Sequence, residues 1–98
     1  MQDTLDMFEI QTRDSVVERR NFFLGIWAGR MLGRDGEDLA LYAGEIMASD
    51  LEEAGPQDVV NRLRRDFAAS GVAMDETAIL AQLQQTERLV RAELLATD

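Results

Sequence analysis

The side chains that could do chemistry in this sequence are carboxylates and arginines. Nineteen Asp and Glu face ten basic residues, all arginine, and the chain has no histidine and no cysteine. Ser15, Ser49 and Ser70 therefore lack an imidazole base, and no lysine exists for a Ser–Lys pair or a Schiff base. The missing histidine also removes the Glu-x-x-His ligands that carboxylate-bridged metal sites use in helical bundles. Asp50, Glu52 and Glu53 form an acidic group, but they lack calcium-loop spacing and read as a solvated helix end. Arg62, Arg64 and Arg65 form the one dense basic patch, diluted by Asp58 and Asp66. It reads as an exposed face pairing with nearby acids rather than as an anion site. No G-x-x-x-x-G-K loop and no strand-linked G-x-G-x-x-G occurs. The chain thus reads as an interaction protein and not an enzyme, with no catalytic residue and no metal site.

The net charge of -9 argues against nucleic acid, whose phosphates need a basic face, and favours a partner with some basic surface. Lack of cysteine and of a signal-peptide pattern fits a cytoplasmic protein, and the free chain is expected to be a monomer. Ninety-eight residues suffice for one domain with one core.

The elements that must position these side chains are helices. The richest stretch runs from Arg19 to Gly33 and holds the only tryptophan. Val16, Phe23, Trp27 and Met31 fall near one stripe, with Leu24, Ala28 and Leu32 beside it, which predicts the helix on which the rest packs. Its apolar run is too short to cross a bilayer. Gly25, Gly29 and Gly33 recur every four residues. The first two are expected to make room for a neighbouring side chain, or else to form a close backbone seam, and Gly33 to end the helix.

Asp35 is a plausible cap for a second helix carrying Leu39, Ala43, Ile46 and Met47, with Tyr42 at the edge of that face. After Gly55-Pro56, Val59, Val60, Leu63 and Phe67 space out a third helix, closed by Gly71. Asp75 caps a fourth, in which Ile79, Leu83, Thr86, Val90 and Leu94 form a stripe that Leu80 and Leu89 widen. Helices are expected near 4–33, 36–54, 56–70 and 75–96, with no strand. Trp27, Phe23, Ile46, Leu63, Phe67, Ile79 and Leu83 should share the core. The fold class is all-α: a four-helix bundle-like single domain, residues 19–98, with a mobile N-terminal arm. That arm, residues 1–18, has a weak apolar pattern and reads as disordered or conditionally helical.

Arg19-Arg20-Asn21, Leu24-Gly25-Ile26-Trp27-Ala28 and Leu32-Gly33 together resemble a longer pattern, R-R-N-x-x-L-G-x-W-A-x-x-x-L-G. It belongs to the ATPase-inhibitory zeta subunit family of alphaproteobacteria. The similarity continues through Tyr42-Ala43, the turn from Asp50 to Gly55, Asp58-Val59 and the helix end from Asp66 to Val72. It covers roughly Arg19 to Leu94.

The resemblance implies a domain that binds the catalytic head of F-type ATP synthase and restrains ATP hydrolysis by inserting its arm. It places the protein at the inner membrane when bound, as a peripheral component. Partner-binding residues are expected at Phe8, Ile10, Arg13, Val16, Val17 and Arg20. Some family members bind adenine nucleotide weakly, so no tightly held cofactor is implied, only weak ATP or ADP binding. The arm departs from the family pattern, which is longer and carries spaced phenylalanines and basic residues. Here it has Phe8 and Arg13 against Asp3, Asp6, Glu9, Asp14 and Glu18. The alternative reading is a small nucleotide-binding or adaptor helical module that has lost inhibitory activity. In it Arg62, Arg65, Arg88 and Arg91 would meet phosphates, and Tyr42 or Trp27 would stack on the base.

Overall fold

Four helices follow one another: α1 (Gln2–Met31), α2 (Gly36–Ala48), α3 (Gln57–Ala69) and α4 (Glu76–Ala96). The computed structural model describes the backbone of residues 2–49 and 56–96, and the side chains of 15–49 and 56–94. No strand occurs among the described residues. The acidic group at Asp50, Glu52 and Glu53 lies outside them, as does the expected extension of the second helix to residue 54. No described helix is long and apolar enough to cross a membrane.

Helix α1 dominates the shape. Its thirty residues run without a break through the boundary expected at residue 18. At 1.5 Å per residue they span about 45 Å, which accounts for extents of 52 × 25 × 21 Å.

Two helix ends use the same closure. Gly33 takes φ +84° and Gly71 φ +73°, a region that only glycine enters at no steric cost. The following N–H then reaches back five residues: Arg34 to the Gly29 carbonyl and Val72 to the Phe67 carbonyl, both at 2.9 Å. The helix starts differ. The Ala78 N–H donates to Asp75 Oδ1 at 2.8 Å, so Asp75 caps α4 as expected. Asp35 occupies the capping position of α2, but its side chain makes no capping hydrogen bond.

The core is built from Leu24 and Ala28 of α1, Tyr42 and Ile46 of α2, Val59, Val60, Leu63 and Phe67 of α3, and Ile79 and Leu83 of α4. Ile46, Leu63, Phe67, Ile79 and Leu83 are buried together as expected. Trp27 is half-buried and packs its ring edge-to-face on Phe67, with centroids 5.8 Å apart.

Phe23 is a correction, because it stays 45 % exposed and Met31 47 %. The core-facing line of α1 is Val16, Leu24 and Ala28, rotated from the one expected. Gly25 and Gly29 set that rotation by drawing α1 against α2 on their own side. A Cβ on Gly25 would stand 2.8 Å from the Ala43 Cα, and one on Gly29 2.5 Å from the Leu39 Cδ1. Both readings of the glycines therefore hold, a backbone seam at Gly25 and room for a side chain at Gly29. Their successive neighbours on α2 also show that α1 and α2 run antiparallel. Leu89 is a second correction: at 60 % exposed it does not widen the buried stripe of α4.

Candidate functional site

The base of the arm is locked into the bundle. Val16 is 1 % exposed and Arg20 4 %, while Val17 is half-buried. Arg20 donates from Nε and Nη2 to Asn21 Oδ1, at 2.9 and 2.8 Å, and its Nη1 meets Glu87 of α4 at 3.3 Å. One guanidinium thus links the polar strip of α1 to α4. Asn21 is fully buried, and its Nδ2 has no hydrogen-bond partner. An unmet donor of this kind costs about 1–3 kcal/mol.

The six residues expected to meet a partner therefore divide. Val16 and Arg20 face inward, Val17 sits at the margin, and the side chains of Phe8, Ile10 and Arg13 lie outside the described residues. The sequence reading missed Asn21 as a buried polar residue, and its place beside two arginines was the available signal.

A second polar cluster ties α2 to α3. The Tyr42 hydroxyl donates to Asp66 Oδ2 at 2.6 Å, and Arg62 Nε donates to the same oxygen at 2.8 Å. Arg62 Nη2 reaches Glu45 at 2.9 Å, and the Arg34 guanidinium lies 4.6 Å from the Tyr42 ring centroid. Burial pushes the Tyr42 phenol well above its usual range, and the hydrogen bond to the Asp66 carboxylate adds to this; Arg62 and Arg34 pull it back only in part. For Arg62, burial works against the charge, but the bonds to Glu45 and Asp66 outweigh it and hold the guanidinium above its ordinary value. A phenol held protonated against the Asp66 carboxylate and flanked by two arginines acts as a structural latch between α2 and α3.

Two of the three arginines in the basic patch of α3 pair with acids, as expected; Arg65 makes no ion pair among the described residues. Arg62 is engaged as above, and Arg64 approaches Glu76 at 3.9 Å. Arg62 and Arg65 do line one polar recess, with Ser49, Asp58 and Asn61. Arg88 and Arg91 line none of the recesses described, and Arg91 lies 3.8 Å from Glu87. The four arginines of the nucleotide reading are thus not gathered at one site. Among the described residues, no group of three or more carboxylates is placed to hold a metal ion.

A mainly apolar concavity lies between α1 and α4. Phe23, Ile26, Trp27, Arg30 and Met31 line one wall; Gln82, Thr86, Leu89, Val90 and Glu93 line the other, around about 470 Å³. Thr86, in that lining, donates its hydroxyl to the Gln82 carbonyl at 2.7 Å.

The sequence matches the family model for ATPase inhibitor subunit zeta over residues 9–93. The match spans the second half of the arm, the polar strip at Arg20 and Asn21, the seam and all four helices. No curated protein matches the chain.

Proposed function

The chain belongs to the ATPase inhibitor subunit zeta family, and from that premise we propose that it binds the catalytic head of F-type ATP synthase and restrains ATP hydrolysis through its N-terminal arm. Family membership carries this reading, and one feature of the fold supports it. Helix α1 is continuous from Gln2, so the arm is an extension of the element that holds the bundle together. Val16 and Arg20 fasten the base of that extension, leaving Phe8, Ile10 and Arg13 as the side chains offered to the partner and Val17 at the border. An aromatic and an aliphatic anchor beside one guanidinium suit an interface whose other side carries apolar pockets and carboxylates. The protein acts without catalysis of its own, from the cytoplasmic side and peripheral to the membrane.

The arm and the bundle can be separated by truncation. A chain beginning at Ser15 keeps Val16 and Arg20 and hence the packing of α1 on α4. With purified ATP synthase, the intact chain should slow hydrolysis and leave synthesis largely unaffected, whereas the shortened chain should bind without inhibiting. If the intact chain binds and leaves hydrolysis unchanged, the inhibitor reading fails for this member. Equal inhibition by both chains would transfer the effect to the bundle.

A further inference from the structure

The concavity between α1 and α4 holds three exposed large apolar side chains: Phe23, Met31 and Leu89, at 45, 47 and 60 % exposure. Half-buried Trp27 stands in its α1 wall. Exposed apolar side chains gathered in one concavity offer a surface that a partner can cover. Two charged groups stand in the same lining, Arg30 and Glu93. Among the described residues neither makes an ion pair or a hydrogen bond, with each other or with anything else; Arg19, Arg65 and Arg88 are likewise unpaired, but none of these lines the concavity.

We propose that this groove receives an amphipathic helix of the ATP synthase head, with an acidic residue turned to Arg30 and a basic one to Glu93 on either flank of its apolar stripe. The size fits. The α4 wall runs from Gln82 to Glu93, about 17 Å at helical rise, which matches three turns of a guest helix presenting apolar anchors at i, i+4 and i+7. The charges narrow the choice further. A phosphate-bearing ligand would gain Arg30 but meet the Glu93 carboxylate in the same space. A helix carries both signs at adjustable positions and satisfies both groups. The surface lies outside the arm, so it would hold the bundle in place while the arm acts.

This inference rests on the ATP synthase reading, and binding to the purified catalytic head tests the two separately. The intact chain is compared with Leu89→Glu, Phe23→Glu and Arg30→Glu, and with Leu41→Glu as a control. Leu41 is 63 % exposed and lies outside the groove. Each variant is first checked for unchanged helical circular dichroism, and Arg30→Glu, a change at an exposed unpaired residue, keeps the test valid if the others unfold. The three groove variants should weaken binding at least about tenfold, and Leu41→Glu should leave it unchanged. With p-benzoylphenylalanine in place of Leu89, photo-cross-links should map to residues three or four apart on one helix of the head. Equal affinity of all variants would overturn the groove while leaving the family reading intact. Cross-links to a second copy of the chain, or to a loop, would also overturn it. Failure of the intact chain to bind at all would remove both.

Discussion

Helix α1 has two unlike sides. Toward α2, Gly25 and Gly29 remove every obstacle, and the two backbones approach until even a methyl group would collide with Ala43 or Leu39. Toward the outer edge of α4, the same helix keeps Phe23 and Met31, large side chains that find no full cover inside the chain. One side has spent its side chains on closeness. The other retains apolar area that the fold does not use. The difference separates what a helix does for its own domain from what it offers outward, and it predicts that substitutions a single residue apart will act on different properties.

The largest effect should come from the core line between these sides. Leu24→Ala removes a fully buried side chain and should cost about 2–5 kcal/mol in denaturant unfolding. On the seam, Gly25→Ala should destabilise by roughly 1–2 kcal/mol, because its new methyl meets the Ala43 backbone and overpacking outweighs the gain in helix propensity. Gly29→Ala should cost less than Gly25→Ala, since the atom it meets is the movable end of Leu39. If the two glycines respond alike, the seam is not a backbone contact.

Tyr42 also borders the seam, and its effect should be confined to high pH. Its folded pKa lies above the unfolded value of about 10. The folded state therefore holds the proton more tightly, and this stabilisation is complete below pH 10 and lost as pH rises beyond it. Thermal unfolding of Tyr42→Phe should lack that component of the alkaline decline; an unchanged decline would place it elsewhere. On the groove side, Leu89→Glu should alter stability by no more than about 0.5 kcal/mol. A loss of several kcal/mol there would erase the contrast between the two sides.

Much of this arrangement was legible in the residues. Gly33, Gly71 and Asp75 mark helix ends because few other residues do their work, and the stripes of α3 and α4 are bounded by polar neighbours that leave one orientation. Helix α1 was harder. Apolar residues occupy almost every position from Phe22 to Ala28, so periodicity alone permits two faces, and side-chain bulk favours the one that the fold leaves exposed. The glycines resolve the choice, since the side of a helix without side chains is the side another backbone can reach. The polar contacts were less visible. Tyr42 was placed at an edge with a polar partner, but Asp66 is twenty-four residues away in sequence, and nothing local announces such a pair. Arg20, beside the arm, suits a donor to carboxylates of a partner and equally a structural role; a neighbouring Asn21 and a carboxylate across the helix interface hold it inside.

Trp27 stands on the border between the two sides, in edge contact with Phe67 and at the wall of the groove. Since it is the single tryptophan of the chain, all indole emission originates at that border. Loss of Phe67 packing on unfolding would move the emission toward the red by admitting water, whereas a guest seated on the outer edge of the ring would move it toward the blue by excluding water. The protein thus carries a built-in optical reporter in which unfolding and occupancy have opposite signs.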